Sequence, residues 1–344
     1  MPFYHARTTA CGSDYPAAVT AATEERDAQG QTLGSRRAVY AAAGALLLAA
    51  VALAAAGAGE VSGRLSDWQA LALGVVQGAT ELLPISSSGH LILVPWLAQW
   101  RYLENHPAFN QTFDVALHLG TLVAIVVYFW GDVVRYTTAF VRSLAARRAD
   151  SHDARLAWYI AAATVPAAIA GAAGEDFITE HLGQPWQIAI SLSALGLLLF
   201  VADRAPQRLG LADLRFGNAF LVGVSQVLAL FPGVSRSGIT ITAGRFAGMD
   251  RDAAARFSFL LAVPIVFGAV VYKALKVAKD GLPAGSGGPF LVGTLAAAAV
   301  GLVAIDLLLG YVRRRDYTPF VVYRLLAALA ILAIILAGVR DATF

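Results

Sequence analysis

Long uncharged apolar segments constrain this chain more than any other feature of its sequence. Val39–Ala58, Ala157–Gly174 and Trp186–Ala202 contain no acidic or basic side chain. A helix of about 20 apolar residues spans the hydrocarbon core of a bilayer. Of the 344 residues, 58% are hydrophobic and 14% are charged, whereas a soluble domain has roughly half apolar and a quarter charged residues. The sequence therefore predicts an all-α, polytopic integral membrane protein surrounded by membrane lipids.

The composition also argues against two classes of site. The net charge of +3 is modest and the basic residues lie mostly in loops, so no nucleic-acid partner is expected. Cys11 is the single cysteine of the sequence. An internal disulfide and a metal site built from cysteines are therefore excluded.

The chain divides into an N-terminal region and a longer membrane domain. Residues 1–37 are polar and predict a disordered cytoplasmic tail. Residues 38–66 predict one extra transmembrane helix with a loop, and residues 67–344 the membrane-embedded domain. Several apolar segments of this domain, such as Leu91–Leu97, are too short to span a bilayer. Short apolar segments at matching places in two halves of a chain indicate broken or re-entrant helices at a binding site.

The two halves of the membrane domain resemble each other. GVVQGATELLPISSSG (Gly74–Gly89) aligns without gaps to GVSQVLALFPGVSRSG (Gly223–Gly238). FDVALHLGTLVAIVVY (Phe113–Tyr128) aligns to FSFLLAVPIVFGAVVY (Phe257–Tyr272). Apolar segments often look alike, but the SxSG that both loops share is harder to explain by chance. We therefore predict an inverted-topology repeat whose two re-entrant helix pairs meet at mid-membrane. The predicted repeats cover about 67–174 and about 216–344.

Basic residues in the connections orient the chain. Segment 131–156 contains several arginines, as does Arg313–Arg315, whereas Glu175–Glu180 is acidic. Short loops rich in Lys and Arg stay on the cytoplasmic side. The two basic segments are therefore expected inside and the acidic one outside, although the lysines of Lys273–Lys279 would then fall outside.

The polar stretch ELLPISSSGH interrupts the first of the aligned apolar segments. Gln77 and Glu81 are four residues apart and share one helix face. Pro84 ends that helix, because proline lacks an N–H and clashes with the preceding turn. A serine after it can cap a new helix. Ser87 and His90 are three residues apart, so we expect the imidazole to reach the hydroxyl.

The second loop, FPGVSRSG, carries Arg236 at the position of Ser87. An arginine at membrane depth is costly without an anionic partner, and its planar fork suits phosphate. Helix starts add free N–H groups that bind anions. If the two loops meet, these groups fit phosphate-ester or diphosphate chemistry, although Arg236 and Glu81 could instead form a structural ion pair. Candidate substrate-binding residues are Ser86, Ser88, Gly89, Ser235, Ser237 and Gly238.

Further ionisable residues lie within apolar segments. Asp114 and His118 are four apart in the first span after ELLPISSSGH. Asp114 either contributes to a cation site or lies at the external interface without a special role. Asp306 and Arg324 lie near the inner basic segment, and we expect them to pair with nearby charges.

Four motifs, taken together and in this order, identify a family. They are QGATELLPISSSGH (Gln77–His90), FDVALHLGTLVA (Phe113–Ala124), FPGVSRSGITIT (Phe231–Thr242) and FSFLLAVP (Phe257–Pro264). From about Trp68 to its C-terminus the chain resembles the bacterial undecaprenyl-diphosphate phosphatases, membrane enzymes linked to bacitracin resistance. The resemblance implies hydrolysis of undecaprenyl diphosphate, a polyprenyl diphosphate lipid, to undecaprenyl phosphate and phosphate. It also implies the bacterial cell membrane, a site open to the outer face and a divalent cation.

The family's motifs assign roles to individual residues. Its glutamate-rich motif falls on Gln77 and Glu81, and its acidic F-(D/E)-V position falls on Asp114. These three are the candidate ligands for Mg²⁺ or Ca²⁺, although Gln77 supplies no charge where some members have a second carboxylate. The serine and arginine motifs fall on the two loops already described. The first sixty-odd residues have no counterpart in the minimal family.

The sequence leaves several mechanisms open. Ser87 is the expected nucleophile with His90 as its base, while Arg236 grips phosphate oxygens and Glu81 holds the cation. Alternatively, His90 itself attacks or activates water. Broken helices also suit a transporter or flippase of a lipid phosphate or another anion. A structural scaffold would leave a buried Arg236 unexplained, and a homodimer is left open.

Overall fold

The computed structural model describes residues 15–57, 64–282 and 286–343, which fold almost entirely into α-helices. In chain order these are α1 (Tyr15–Ala56), α2 (Asp67–Leu82), α3 (Ser87–Ala98), α4 (Arg101–Asn105), α5 (Pro107–Tyr128), α6 (Trp130–Ala146), α7 (His152–His181), α8 (Pro185–Ala202), α9 (Phe216–Ser225), α10 (Arg236–Phe246), α11 (Arg251–Asp280), α12 (Gly287–Val312) and α13 (Thr318–Leu336). Within this described part, β pairing is limited to one isolated bridge between Leu209 and Met249. The all-α class is therefore confirmed.

Seven of the described helices are long and apolar enough to cross a membrane. They comprise Arg36–Ala56, Pro107–Tyr128, His152–Gly174, Pro185–Ala202, Arg251–Lys279, Gly287–Val312 and Thr318–Leu336. The prediction of a multi-pass membrane protein is confirmed. Helices α3 and α10, with 12 and 11 residues, are too short to span and follow the predicted breaks. The depth of these breaks and the inverted orientation of the halves stay predictions.

Both helix breaks use the same local device. Leu83, after α2, has extended backbone, and so does Phe231, after the 3₁₀ helix Gln226–Leu230 that continues α9. Each directly precedes a proline. The ring of a proline disfavours helical backbone at the residue before it. The sequence thus ends both helices locally, before any tertiary contact is considered.

Helix α12 lies at the centre of the fold and packs against α1, α2 and α5. Glycines allow this close approach. A Cβ added at Gly78 on α2 would lie 2.7 Å from the carbonyl oxygen of Ala297. A Cβ added at Gly120 on α5 would overlap the carbonyl oxygen of Thr294. Backbone-to-backbone packing of this kind is typical of small residues in membrane helices. It brings α2 and α5, which both contribute to the site described below, onto the same helix.

Replacing Gly120 with alanine should destabilise the protein by about 1–3 kcal/mol, because the added methyl group must push α5 away from α12. Thermal unfolding in detergent measures this as a lower midpoint. Gly131 on α6 is the matched control, since a Cβ there meets nothing within 4 Å. Gly131→Ala should leave the midpoint unchanged or raise it slightly. Equal midpoints for the two variants would contradict the packing role of Gly120.

Helix α1 docks on α12 through a buried acidic residue. Asp306 on α12 accepts hydrogen bonds from Arg36 Nε at 3.1 Å and from the Tyr40 hydroxyl at 2.9 Å, both on α1. The Tyr128 hydroxyl donates to the same carboxylate at 3.1 Å. The expectation that Asp306 pairs with a nearby charge is confirmed, although the charge comes from the N-terminal helix.

The structure differs from the sequence interpretation at the N-terminus. Helix α1 begins at Tyr15, so residues 15–37, which were expected to be disordered, belong to the same helix as the apolar span. Alanine, glutamate, glutamine and arginine are frequent in this segment, and these residues favour helix. The rest of the expected tail, residues 1–14, lies outside the described residues.

Candidate active site

The short helices α3 and α10 begin with the same serine cap. Ser86 Oγ accepts a hydrogen bond from Gly89 N at 3.3 Å, and Ser235 Oγ accepts one from Gly238 N at 3.0 Å. Ser86 has φ 77° and Ser235 has φ 74°. A non-glycine residue rarely adopts positive φ. Its occurrence at the same position of both loops indicates that the surrounding structure imposes this conformation.

The serine caps occupy the backbone N–H groups of two loop glycines, which are then not available to a substrate. The N–H groups of Gly89 and Gly238 already donate to the cap serines. Ser88 Oγ and Ser237 Oγ lie 3.4 Å and 3.2 Å from the same cap oxygens. The backbone N–H groups of the first helical positions remain, since the first turn of a helix has no intrahelical partner for them. An anion is therefore more readily bound by these N–H groups than by those of the glycines.

The two loops lie against each other. Gly233 N donates to Ser86 Oγ at 3.1 Å, across the two halves of the chain. Ser237 Oγ lies 3.1 Å from the carbonyl oxygen of Glu81 and 3.0 Å from that of Leu83. The expected meeting of the loops is therefore confirmed at the level of direct contacts.

Glu81 is the centre of the site and is almost fully buried, with 4% of its surface exposed. Its Oε2 accepts a hydrogen bond from Ser87 Oγ and another from Gln77 Nε2 at 3.2 Å. His118 Nε2 lies 3.4 Å from the same oxygen. Arg236 Nη2 donates to Oε1. The structure thus brings together the serine, carboxylate, glutamine and arginine singled out in the sequence, and it adds His118.

Arg236 forms the ion pair with Glu81 that the sequence left as the plainer alternative. This pair uses Nη2 only. Its Nη1 is buried and has no hydrogen-bond partner among the described residues. A buried donor without a partner costs on the order of 1–3 kcal/mol. The guanidinium therefore holds Glu81 with one nitrogen and keeps the other available for an anion.

The expected hydrogen bond between His90 and Ser87 is wrong. His90 Nδ1 lies 2.6 Å from the carbonyl oxygen of Ser86, one turn earlier, and Nε2 lies 2.6 Å from the Tyr323 hydroxyl. Because a carbonyl only accepts, Nδ1 carries the hydrogen and Nε2 accepts from the tyrosine. Side chains in a helix lean toward the preceding turn, which directs this imidazole to the carbonyl. In this arrangement Glu81, and not His90, accepts the hydrogen bond of Ser87.

Arg324 makes no ion pair with any described residue, so the prediction that it pairs with a nearby charge was wrong as well. This arginine is fully buried. It donates to the carbonyl oxygens of Pro84 at 3.1 Å, Gly233 at 2.9 Å, Val234 at 3.1 Å and Leu192 at 3.1 Å. Helix breaks leave buried carbonyl groups that need donors, and a guanidinium has five N–H groups. These hydrogen bonds of Arg324 therefore connect the two loops to each other and to α8.

Nothing in the sequence singled out Tyr323, and Arg324 was expected to pair with a charge rather than to contact the two loops. Both lie on α13, far along the chain from either loop. An arginine within an otherwise apolar helix, with no acidic residue one turn away, was the available signal. It indicates a buried partner without charge, which two broken helices can supply as carbonyl groups.

The candidate cation ligands are only partly brought together. Gln77 lies beside Glu81, and its buried Oε1 has no hydrogen-bond partner in the ranges that the structure describes. Asp114 lies on α5, and its carbonyl oxygen accepts from His118 Nδ1 at 2.7 Å. In the described part of the chain, no group of three or more His, Cys, Asp or Glu side chains is arranged to hold a metal ion. A cation here would therefore need oxygens from the substrate as well.

Comparisons with known proteins identify the family to which this chain is similar. The family described as "Bacitracin resistance protein BacA" matches residues 70–330. An undecaprenyl-diphosphatase of Pelotomaculum thermopropionicum is 43% identical over 281 residues, which cover 81% of this chain and 100% of that protein. An undecaprenyl-diphosphatase of Geobacter sulfurreducens is 48% identical over 270 residues, which cover 78% of this chain and 98% of that protein. The matched residues include both loops, α5 and most of α13, whereas α1 lies outside them.

Proposed function

Because this chain belongs to the BacA family of bacitracin resistance proteins, we propose that it hydrolyses undecaprenyl diphosphate to undecaprenyl phosphate and inorganic phosphate. This reaction recycles the lipid carrier for cell-wall synthesis and confers bacitracin resistance. The observation that carries the proposal is the position of Ser87. Its hydroxyl donates to the buried Glu81 carboxylate, which is also bound by Arg236, whose buried Nη1 has no hydrogen-bond partner among the described residues.

In the proposed mechanism, Ser87 Oγ attacks the terminal phosphorus while its proton passes to Glu81 Oε2. The bond from this phosphorus to the bridging oxygen breaks, and undecaprenyl phosphate leaves. Water then hydrolyses the phosphoserine, releasing phosphate, and Glu81 returns the proton to Ser87. Splitting one displacement into two steps through an activated hydroxyl is ordinary nucleophilic catalysis.

Arg236 is proposed to bind the terminal phosphate through Nη1. Phosphoryl transfer depends mainly on positioning and on neutralising the charge of the equatorial oxygens. A guanidinium that holds both Glu81 and the phosphate would fix the base and the reacting group relative to each other. The first N–H groups of α3 and α10 belong to the same two loops and would add to the stabilisation of this charge.

We also propose Mg²⁺ or Ca²⁺ as a cofactor. Gln77 Oε1, which has no partner among the residues described, and the neighbouring Glu81 carboxylate are oxygen ligands that suit a hard cation. Substrate oxygens would complete its coordination, and Asp114 is a further candidate. When bound, such a cation neutralises diphosphate charge.

The location of the opening follows from the basic segments. Arg135, Arg142, Arg147 and Arg148 on and after α6 favour a cytoplasmic position for that helix. With this orientation we propose that the site opens to the outer face of the bacterial cell membrane. Association into a homodimer stays a prediction.

Purified protein should release phosphate from undecaprenyl diphosphate in detergent, and a chelator should suppress the release. Added Mg²⁺ or Ca²⁺ should restore it, because the ion neutralises charge that Arg236 alone does not balance. A colorimetric phosphate assay with and without chelator measures both results.

Two outcomes of this assay would contradict the proposals. A full rate in the presence of chelator would exclude the cation but not the hydrolysis. No release under any condition, together with anion flux in liposomes, would replace the hydrolase with the transporter considered from the sequence.

A further inference from the structure

His118 contacts the same carboxylate oxygen as the proposed nucleophile. Its Nε2 lies 3.4 Å from Glu81 Oε2, and this oxygen also accepts hydrogen bonds from Ser87 Oγ and Gln77 Nε2. His118 belongs to α5, whereas Glu81 belongs to α2. The contact therefore joins two helices at the atom that receives the serine proton, and the mechanism above gives it no role.

The second ring nitrogen determines the character of this contact. His118 Nδ1 lies 2.7 Å from the carbonyl oxygen of Asp114. Because a carbonyl only accepts, Nδ1 carries a hydrogen. Nε2 can then approach Glu81 favourably only as a donor, or as an acceptor from a protonated carboxyl group. In either case a proton between the imidazole and Oε2 would favour one orientation of the carboxyl group.

Comparison with two other histidines shows which of the two His118 contacts is unusual. His106 and His181 also place Nδ1 near the carbonyl oxygen four residues earlier, at 2.8 Å and 3.3 Å. Within the described part of the chain, neither makes an ion pair with an acidic side chain, whereas His118 does. The Nδ1 contact is therefore common to histidines in these helices, and the Nε2 contact is particular to His118.

The second half of the chain lacks both members of this pair. In the alignment of the two halves, Leu230 occupies the position of Glu81 and Ala262 occupies that of His118. The carboxylate and the imidazole therefore occur together in the first half, and both are replaced by apolar residues in the second half. This pattern is expected if the imidazole serves the carboxylate rather than the helix.

We propose that His118 is a positioning residue for the hydrolysis: through Glu81 it orients the oxygen that accepts the proton of Ser87. The inference rests on the proposed function and adds a residue to it. The place of α5 does not depend on His118. Gly120 sets its close approach to α12, and Thr294 Oγ1 on α12 donates to the Ala116 carbonyl oxygen at 3.0 Å.

His118→Leu should lower kcat for phosphate release by about 10- to 100-fold, the usual effect of losing a residue that orients a reacting group. KM should change little, because substrate contacts remain. His118→Gln should recover most of the rate, since its side-chain N–H can donate to Glu81. His106→Leu, which removes an exposed histidine with the same helical contact, should keep the wild-type kcat.

Each alternative result has a distinct meaning. A wild-type kcat in His118→Leu would exclude the positioning role while leaving the hydrolysis intact. Equal loss in His118→Leu and His118→Gln, together with lower thermal midpoints for both, would show a purely structural role and also overturn the inference. Absence of phosphate release by the wild-type protein would instead overturn the proposed function itself.

Discussion

Ser87→Ala should reduce phosphate release from undecaprenyl diphosphate on the order of 10³-fold or more, the scale on which loss of a catalytic nucleophile acts. The hydroxyl donates to a carboxylate with 4% exposure. The preceding hydroxyl, that of Ser86, is not expected to replace it, because Ser86 Oγ accepts hydrogen bonds from Gly89 N and Gly233 N. The measurement is kcat for purified protein in detergent, with the thermal midpoint as a check that the variant is folded.

Ser225→Ala is the matched control for this substitution. Within the described part of the chain, Ser225 Oγ bonds only to the carbonyl oxygen of Val222, in its own helix α9. That variant should keep the wild-type rate. Full activity of Ser87→Ala would exclude the serine as nucleophile, and it would favour direct attack by water or by His90.

Arg236→Lys should lower kcat about 10²- to 10³-fold, the usual cost of removing one donor that stabilises transition-state charge. A lysine keeps a positive charge beside Glu81, so the buried carboxylate is not left unpaired. It has one nitrogen, however, and cannot hold Glu81 and the phosphate through separate nitrogens as the guanidinium does. Steady-state kinetics with a fixed concentration of Mg²⁺ would measure the effect.

Arg256→Lys provides the control for charge conservation. Arg256 forms a partly exposed ion pair with Asp252 at 2.7 Å on α11, and a lysine can keep such a pair with little cost. Its kcat should stay at the wild-type value. If Arg236→Lys were as active as the wild-type protein, a single positive charge would suffice. The proposal that Arg236 holds Glu81 and the phosphate through separate nitrogens would then be wrong.

Local features of the site were predictable because their causes lie within a few residues. The proline after Leu83 and the proline after Phe231 end their helices, and a serine two or three residues later caps the next helix. Gln77 and Glu81 share a helix face through their spacing alone, and the structure has them hydrogen-bonded. Each of these predictions needs only helix geometry and the chemistry of one or two side chains.

Partners across the fold were not predictable in the same way. The spacing of Ser87 and His90 permits a contact, but the imidazole has Ser86 and Tyr323 as partners instead. Arg324 was expected to find a charge and binds carbonyl groups of both loops. Sequence spacing shows which atoms can meet, and it does not show which of several possible partners a distant helix will supply.

The sequence by itself determined that this protein crosses the membrane and where its two short helix pairs break, and it predicted most of the side chains that meet around Glu81. Hydrophobicity, proline geometry and serine capping act locally, so no tertiary information was needed. Only the tertiary structure decided that Ser87 bonds to Glu81, that Nη1 of Arg236 has no partner within the described part of the chain, and that His118 contacts the same carboxylate. These contacts join α2, α3, α5 and α10, and their partners depend on how closely glycines let α2 and α5 pack on α12.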